Sequence, residues 1–250
     1  MQKPLSILFC GKSCMVESHE YKGYNGFTAV RYYEPARRME RLFTGLGHQF
    51  TYIPCHLIAR QFPRTLAELQ AFDVVFLCDV GADNFLLLPE MVEDGVRCPN
   101  LPRLLPEYAA AGGGVGMIGG YMSFTGRDGK GRWRETALAE ALPVTMLPYD
   151  DRVEIPEGAD LIYAGGDDLL HGMPREWPYI FGYNRVSAKA DAQILLSYDG
   201  DPIITTGCFE LGRTLAYATD CTPHWAPAAM GEWVHYPELW DRLAHWLANK

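Results

Sequence analysis

The chain has 250 residues, of which 48% are hydrophobic and 12% aromatic, and it carries a formal net charge of −9. This length and hydrophobic content suit one large α/β domain over residues 1–250, and a charged fraction of 21% argues against disorder. Nucleic acid and anionic membranes repel a negatively charged chain. We therefore expect neither as a partner. A small-molecule ligand is the expected partner, about which the charge says little, and self-association into a homo-oligomer is left open.

The cysteines and apolar runs indicate a compartment. No stretch reaches the roughly 18 apolar residues that a membrane span needs, and the apolar run at 5–10 is too short for a signal peptide. The seven cysteines are an odd number, and Cys10 and Cys78 lie inside apparent buried strands, which favours reduced thiols and a cytoplasmic location. Because there is no C-x-x-C pair, we expect no structural zinc site and no cofactor.

Apolar runs alternate with helical patterns through the first half of the chain. Strands are predicted over residues 5–10, 49–53, 74–78 and 115–118, and helices over 34–46, 66–71 and 101–111. This alternation is typical of a doubly wound, mostly parallel sheet flanked by helices, of the flavodoxin-like kind, with all strand ends at one edge. Residues 12–28 are predicted to form a long loop over that edge.

The pattern changes after Leu142 to shorter strands with tight turns. Further strands are predicted over residues 143–154, 160–164, 194–197, 202–206 and 213–219. A last helix is predicted over 237–248, where leucines and tryptophans form one apolar face. Since no linker separates the two parts, we interpret the chain as one α/β domain with a β-rich second half.

A glycine turn follows the predicted strand at 115–118. Gly119 and Gly120 allow a sharp reversal there, which places Tyr121 at the carboxyl end of the strand, where ligands bind in α/β sheets. A nucleophile elbow has Ser or Cys at this apex. Here the apex is Gly120 or Tyr121, and Ser123 comes too late. We expect Gly119, Gly120 and Ser123 to bind a ligand and Tyr121 to take part in any catalysis.

His224 is the best single catalytic candidate, since it comes just after the last predicted strand. A histidine in that position can act as a general base near neutral pH. Its neighbours Asp220 and Trp225 are candidate binding residues. The alternative is a structural imidazole bonded to a backbone carbonyl. A nucleophilic pair of a histidine with Cys221 or Cys14 is also conceivable.

A polar loop follows the predicted strand at 74–78. Asp79 is the third catalytic candidate, and Gly81, Asp83 and Asn84 are binding candidates, because this loop would face the glycine turn across neighbouring strand ends. These residues could bind a ligand, orient the histidine or ligate a hard cation. Alternatively, the Asp and Gly residues only make the turn.

Residues 150–154 form an acidic cluster around Arg152. Strand alternation would put Asp150, Arg152 and Glu154 on one face, which predicts a salt-bridge ladder. A metal or substrate site is the alternative interpretation.

Seven motifs in this order support a resemblance. They are KGYNGFT at 22–28, DVGADN at 79–84, MIGGYMSF at 117–124, DDRVE at 150–154, WP at 177–178, GYN at 182–184 and DCTPHW at 220–225. Together they resemble the putative glutamine amidotransferase family, a branch of the class I glutamine amidotransferase-like fold. The resemblance covers nearly the whole chain and implies that fold.

The resemblance does not carry the family's activity with it. Working class I amidotransferases use a Cys at the elbow and a late His followed two residues on by Glu. This chain has Gly120 and Tyr121 at the elbow and Ala226 two residues after His224, so only the histidine maps. It also has Gly-Lys-Ser-Cys at 11–14 where the family tends to carry Gly-Glu-Ser-Trp.

Two functions follow from these observations. The first is a hydrolase or transferase that acts on a small polar metabolite, such as a carbohydrate-related one, through His224. The second is a non-catalytic ligand-binding or assembly protein that kept the pocket.

We expect the purified protein to have no glutaminase activity, because the turn at Gly120 and Tyr121 offers no thiolate to form a glutamyl thioester. Incubation with an electrophilic glutamine analogue, followed by intact-protein mass spectrometry, should show no added mass. A stoichiometric adduct at any cysteine would contradict this prediction.

Overall fold

The computed structural model describes residues 3–165 and 168–250. The strands in these ranges are β1 Ser6–Gly11, β2 Cys14–Lys22, β3 Asn25–Tyr33, β4 Gln49–Ile53, β5 Val74–Cys78, β6 Gly114–Ile118, β7 Val144–Met146, β8 Arg152–Ala159, β9 Ile162–Tyr163, β10 Ile180–Asn184, β11 Val186–Ala188, β12 Gln193–Tyr198, β13 Asp201–Phe209 and β14 Gly212–Tyr217. The helices are α1 Arg37–Gly45, α2 Ile58–Gln61, α3 Leu66–Leu69, α4 Asp83–Leu86, α5 Pro89–Val92, α6 Leu101–Ala110, α7 Leu138–Ala141, α8 Ala228–Gly231 and α9 Tyr236–Leu247. Short 3₁₀ turns occupy Cys55–Leu57, Arg127–Gly129 and Trp133–Glu135.

One large sheet runs through the molecule in the order β4-β1-β5-β6-β14-β13-β12-β9. The first five strands are parallel to their neighbours, and the last three pairings are antiparallel. Three separate two-stranded antiparallel sheets pair β8 with β10, β7 with β11, and β2 with β3. The fold is therefore mixed α/β, with a large, mostly parallel sheet and additional antiparallel sheets.

Both faces of the sheet are covered, which is why its central strands are apolar throughout. Every residue of β5 is buried. Phe76 packs against Phe43 of α1 and Trp240 of α9, whereas its neighbour Leu77 belongs to a second core cluster that also contains Leu105 of α6. Alternate side chains thus enter cores on opposite faces of the sheet, as a parallel sheet between two helical layers requires.

The predicted elements of the first half agree with the structure except before α1. Strands predicted over 49–53 and 74–78 have the observed bounds, and the remaining strands and helices there shift by a few residues. The prediction of a loop over 12–28 was wrong, because residues 14–33 form the antiparallel hairpin of β2 and β3. The two-residue turn at Gly23 and Tyr24 has φ +63° at the glycine, a value that tight hairpin turns need.

The second half departs further from the prediction. The single strand predicted over 143–154 is interrupted, because Pro148 lies within it and Asp150 accepts hydrogen bonds from the backbone N–H groups of Asp128 and Arg152. The structure has β7 and β8 in its place. Strands β10 and β11 were not predicted, because the prolines and glycines around them are typical of loops.

No helix in the described part of the chain is both long enough and apolar enough to cross a membrane.

The start of β6 leaves no room for a side chain. A Cβ atom added at Gly114 would lie 2.6 Å from the carbonyl oxygen of Leu247 in α9, whereas one added at Gly45 would meet nothing within 4 Å. We expect Gly114→Ala to lower the free energy of unfolding by about 1–3 kcal/mol, because backbone must move to admit the methyl group. Urea unfolding of the purified variant measures this.

Gly45→Ala is the matched control, and it should be neutral or stabilise by up to about 1 kcal/mol, since an open helical glycine gains from the substitution. Equal free energies of unfolding for the two variants would contradict the close packing of α9 on β6.

Candidate functional site

A buried lysine joins three segments at the carboxyl edge of the sheet. Lys12 follows β1, Asp79 follows β5, and Asp220 follows β14. The Lys12 Nζ atom donates to an oxygen of Asp79 at 3.1 Å and to one of Asp220. Burial alone would lower the pKa of Lys12, but Asp220 and Asp79 outweigh it and raise that pKa well above its usual value. The lysine is therefore charged, and it neutralises part of the negative charge of the two carboxylates.

The Asp79 backbone and the glycine turn fit closely together. Asp79 has φ +44° and Gly120 has φ +147°, and a Cβ atom at Gly120 would lie 2.6 Å from the Asp79 Cβ. The Asp79 carboxylate accepts the Met122 N–H at 2.9 Å, and the Asp79 N–H donates to the Ser123 hydroxyl at 2.9 Å. The structure thus brings Asp79, Gly120 and Ser123 together, and only glycine permits this approach at position 120.

Tyr121 and His224 are in direct contact just beyond that turn. The Tyr121 hydroxyl lies 3.3 Å from His224 Nε2, and the two rings meet edge to face with centroids 4.8 Å apart. The His224 side chain is half exposed. Among the described residues its side-chain polar contacts go to Tyr121 and Glu154, and not to a backbone carbonyl as in the alternative expected from sequence.

Glu154 lies beside this pair, although it was not among the candidates chosen from sequence. Its carboxylate is 3.7 Å from His224 Nε2 and accepts the indole N–H of Trp225 at 3.0 Å. Trp225 is itself buried. The sequence signal for Glu154 was the acidic cluster at 150–154, for which a substrate site was the alternative interpretation. The sequence could not show which face of β8 meets His224, because that depends on the pairing of β8 with β10.

Two arginines surround the Tyr121 ring. The guanidinium carbons of Arg127 and Arg152 lie 5.3 and 5.1 Å from its centroid. Arg152 also binds Asp150 through two nitrogens, at 2.7 and 3.0 Å, so one rung of the predicted ladder is present. The pKa of the Tyr121 phenol is raised, first by partial burial and then by the negative charge of Glu154. The phenol therefore keeps its proton at neutral pH and can donate a hydrogen bond.

A second buried network holds the glycine turn from the other side. The Asp151 carboxylate accepts the backbone N–H groups of Thr125 and Gly126, at 2.9 and 3.0 Å, and the Asn184 amide at 2.8 Å. The Asn184 oxygen in turn accepts the Gly120 N–H at 3.0 Å. The Met122 N–H is bonded to Asp79, as described above. The backbone N–H groups of Gly120 and Met122 therefore both have partners within the protein. Neither group is free to stabilise an oxyanion.

The rest of the polar loop after β5 makes local contacts. Asp83 forms an exposed ion pair with Arg132 at 2.8 Å, and the Asn84 amide donates to the Gly81 carbonyl at 3.1 Å. The N–H of Gly119 donates to the Tyr217 carbonyl, which continues the sheet. In the described residues these contacts do not reach the tyrosine–histidine pair, so a ligand-binding role for Gly81, Asp83 and Asn84 stays a prediction.

All seven cysteines are free thiols in the structure. Cys221 is buried with its sulfur 3.6 Å from that of Cys78, and Cys14 is exposed at the start of β2. Burial raises the pKa of Cys78 well above its usual value. Within the part of the chain described, the side-chain polar contacts of His224 go to a tyrosine and a glutamate rather than to a thiol.

Among the residues that the structure describes, two groups of side chains place possible metal-ligand atoms within 4.8 Å of one another. In the first, His48 Nδ1 accepts the Leu5 N–H, so the proton of the neutral ring is on Nε2, which faces Asp241 at 2.8 Å and cannot bind a metal in that form. The second group is Cys78, Asp220 and Cys221, where the ammonium of Lys12 already neutralises the carboxylate. Both arrangements are explained by their protein partners.

A cavity of about 740 Å³ lies behind the segment that carries His224, between α1 and residues 221–237. Its lining includes Arg38, Arg41, Thr222 and Pro223, but neither Tyr121 nor Asp79. This cavity is therefore not the place where the polar loop after β5 meets the glycine turn.

Comparison with known proteins gives a family and a fold. The model of a family described as "Putative glutamine amidotransferase" matches residues 6–249. The chain is similar to the cytoplasmic protein STM3548 from Salmonella typhimurium, with 35% identity and a TM-score of 0.93 over 97% of this chain and 99% of that one. It is similarly close to the cytoplasmic protein STM1381 from Salmonella typhimurium LT2, with 35% identity and a TM-score of 0.92 over 96% and 98% of the two chains.

A more distant likeness concerns the fold alone. A ThuA-like protein from Bacteroides uniformis shares 11% identity with a TM-score of 0.58, over 99% of this chain and 93% of that one. A search among curated proteins found no match.

Removing the buried lysine should be costly. We expect Lys12→Met to lower the free energy of unfolding at pH 7 by about 3–5 kcal/mol, because it leaves the Asp79 and Asp220 carboxylates without their cation. Burial raises the pKa of Asp220 above its unfolded value. Without the Lys12 ammonium, the pKa of Asp220 rises further, so the folded variant takes up a proton at a higher pH than the folded wild type. The penalty is therefore full at high pH and shrinks as the pH falls through that range. Unfolding by urea from pH 7 to pH 4 measures it.

Lys130→Met is the control, since its ammonium is exposed and lies 3.7 Å from Asp128. Such surface pairs contribute at most about 1 kcal/mol. A Lys12→Met deficit that stayed constant, or grew, as the pH fell would contradict the assigned charges.

Proposed function

Since the chain belongs to the putative glutamine amidotransferase family, we propose from that premise that it is a hydrolase or transferase of a small polar metabolite that uses His224. The observation that carries the proposal is the contact of His224 Nε2 with the Tyr121 hydroxyl at 3.3 Å, with Glu154 at 3.7 Å. A histidine, a protonated phenol and a carboxylate at a strand's carboxyl end form an acid–base group. It does not require a cysteine.

The strand order supports the finer description of the fold that the family suggests. Counting only the parallel strands, their order β4-β1-β5-β6-β14 is 2-1-3-4-5, which is the flavodoxin-like order. Ligands of such sheets bind where the order reverses, here between β1 and β5. Lys12 and Asp79 follow these two strands, and the Asp79 carboxylate accepts the N–H of Met122, the residue after Tyr121. A class I glutamine amidotransferase-like fold with its ligand at this edge is part of the proposal.

The proposed step is attack by water. The imidazole of His224 takes a proton from the water at Nε2, and the water oxygen forms the new bond to the substrate. The Glu154 carboxylate stabilises the resulting imidazolium, and the Tyr121 O–H donates to the substrate oxygen on which negative charge develops. The bond between the attacked substrate atom and the leaving group then breaks, and the proton on Nε2 passes to the leaving group. In a transferase, an acceptor hydroxyl replaces the water.

The charges around Tyr121 favour polar substrates. The guanidinium groups of Arg127 and Arg152 lie on its ring and can donate to hydroxyl or carboxylate oxygens. A sugar or sugar acid has such oxygens, and it would bring little apolar surface to a half-exposed site. We place this activity in the cytoplasm, on the grounds of the free thiols and of the two Salmonella relatives described as cytoplasmic proteins.

One observation favours the second candidate, a non-catalytic ligand-binding protein. The Asp79 carboxylate is neutralised by Lys12, and the Gly120 N–H is satisfied by Asn184. A turn whose polar groups are already paired is rigid and suited to recognition, but it offers less to a developing charge.

The experiment is a turnover screen with p-nitrophenyl glycosides, p-nitrophenyl acetate and sugar lactones, read by absorbance and by NMR. For any substrate that is turned over, His224→Gln should lower kcat/KM about 10²- to 10⁴-fold, because it removes the base. Tyr121→Phe should lower it less, since one hydrogen bond is lost.

His171→Gln is the control, because this histidine is exposed and Arg242 donates to its backbone carbonyl, which the substitution keeps. Equal loss in the control, or unchanged turnover in His224→Gln, would overturn the catalytic role. Binding of the same sugars in a thermal-shift assay, without turnover of any of them, would support the second candidate instead.

A further inference from the structure

The hairpin of β2 and β3 is an exposed arm with apolar side chains on both faces. We use the term arm for residues 14–33. Every residue of β2 is exposed, and all but one of β3 are exposed or nearly so. Met15 is 72% exposed, Tyr21 78% and Val30 59%. The other large apolar residues exposed on the arm are Val16, Tyr24, Phe27, Tyr32 and Tyr33.

The arm has no strand partner outside itself among the described residues, since β2 and β3 pair only with each other. A two-stranded hairpin without a packed face is marginal in water. Its outer edges also present unpaired backbone N–H and carbonyl groups, which natural proteins normally cover or protect with charge. An arm with this composition is therefore expected to be covered in the assembled protein.

The charges of the arm indicate what covers it. The chain as a whole carries −9, but on the arm Glu17 and Glu20 are balanced by Lys22 and Arg31. Two copies of the arm can therefore approach without the repulsion that acts between the rest of their surfaces. An anionic membrane or a nucleic acid would select a basic surface instead, and this one is neutral.

The sequence of β2 is also compatible with pairing to itself. An antiparallel pairing of two β2 edges centred on Ser18 aligns Glu17 with His19 of the second copy and Met15 with its Tyr21. On this face of the strand polar residues meet polar ones and apolar meet apolar, which favours cross-strand pairing, whereas on the other face Val16 meets Glu20. Such a contact is two-fold symmetric, which is the commonest arrangement in homo-oligomers.

The size of the arm matches what an interface needs. A stable interface uses about 20–30 residues on each side. The arm provides two nine-residue strands and the turn between them, and most of these residues are accessible.

We propose that the arm is the self-association surface of this protein and that its partner is a second copy of the same chain. The arm begins two residues after Lys12, so the interface starts at the edge of the candidate site. The inference rests on the exposure, pairing and charge of the arm and is independent of the chemistry at His224.

The test is sedimentation velocity on the full chain at micromolar concentrations. The wild type should sediment as an oligomer, and Met15→Glu combined with Val30→Glu should convert it to the monomer. The matched control is Leu211→Glu combined with Val234→Glu, which adds the same two charges at residues that are 75% and 80% exposed elsewhere. This control should remain oligomeric.

A second variant distinguishes loss of the interface from misfolding of the arm. Replacing residues 16–31 by Asn-Gly keeps the Met15 and Tyr32 pair as a short hairpin, and it too should be monomeric with an unchanged circular dichroism spectrum after correction for length. A monomeric wild type would overturn the proposal. So would arm variants that sediment like the wild type, or a control that dissociates as they do.

Discussion

A single buried ammonium group sets the geometry at the carboxyl edge of the large sheet. Lys12 is held between the carboxylates of Asp79 and Asp220, which lie in segments far apart along the chain. Burying these charges is costly, and the cost is offset only when each has its partners. The ion pairs of Lys12 with Asp79 and Asp220 therefore fix the ends of β1, β5 and β14 relative to one another. They also hold Asp79 at positive φ, where its carboxylate reaches the backbone of Met122.

The β-rich half of the chain completes this arrangement from the other side. Asp151 and Asn184 come from the segments around β8 and β10. Asp151 accepts the Asn184 amide, and the Asn184 oxygen in turn accepts the N–H of Gly120. The turn that carries Tyr121 is thus held by two buried networks, one from each half of the chain. Because β8 also carries Glu154, the same strand that supports the turn brings a carboxylate to His224.

This rigidity has a chemical consequence. The backbone N–H groups of Gly120 and Met122, on either side of Tyr121, are already bonded within the protein and cannot serve an oxyanion in an acyl transfer. The side chains that the site offers are the Tyr121 phenol, the His224 imidazole and the arginines beside them. Side chains of this kind suit proton transfer and recognition of polar oxygens better than formation of a covalent acyl intermediate.

By itself, the sequence determined the features that depend on neighbouring residues. The strand Val74–Cys78 is an uninterrupted apolar run, and consecutive glycines marked the turn before Tyr121, so the parallel core and the position of this turn followed from local pattern. The tertiary structure alone decided the rest. Lys12 meets a carboxylate 208 residues away, and Glu154 reaches His224 only through the pairing of β8 with β10. The hairpin of residues 14–33 lacks a buried face within the chain, so no hydrophobic period distinguished it from a loop.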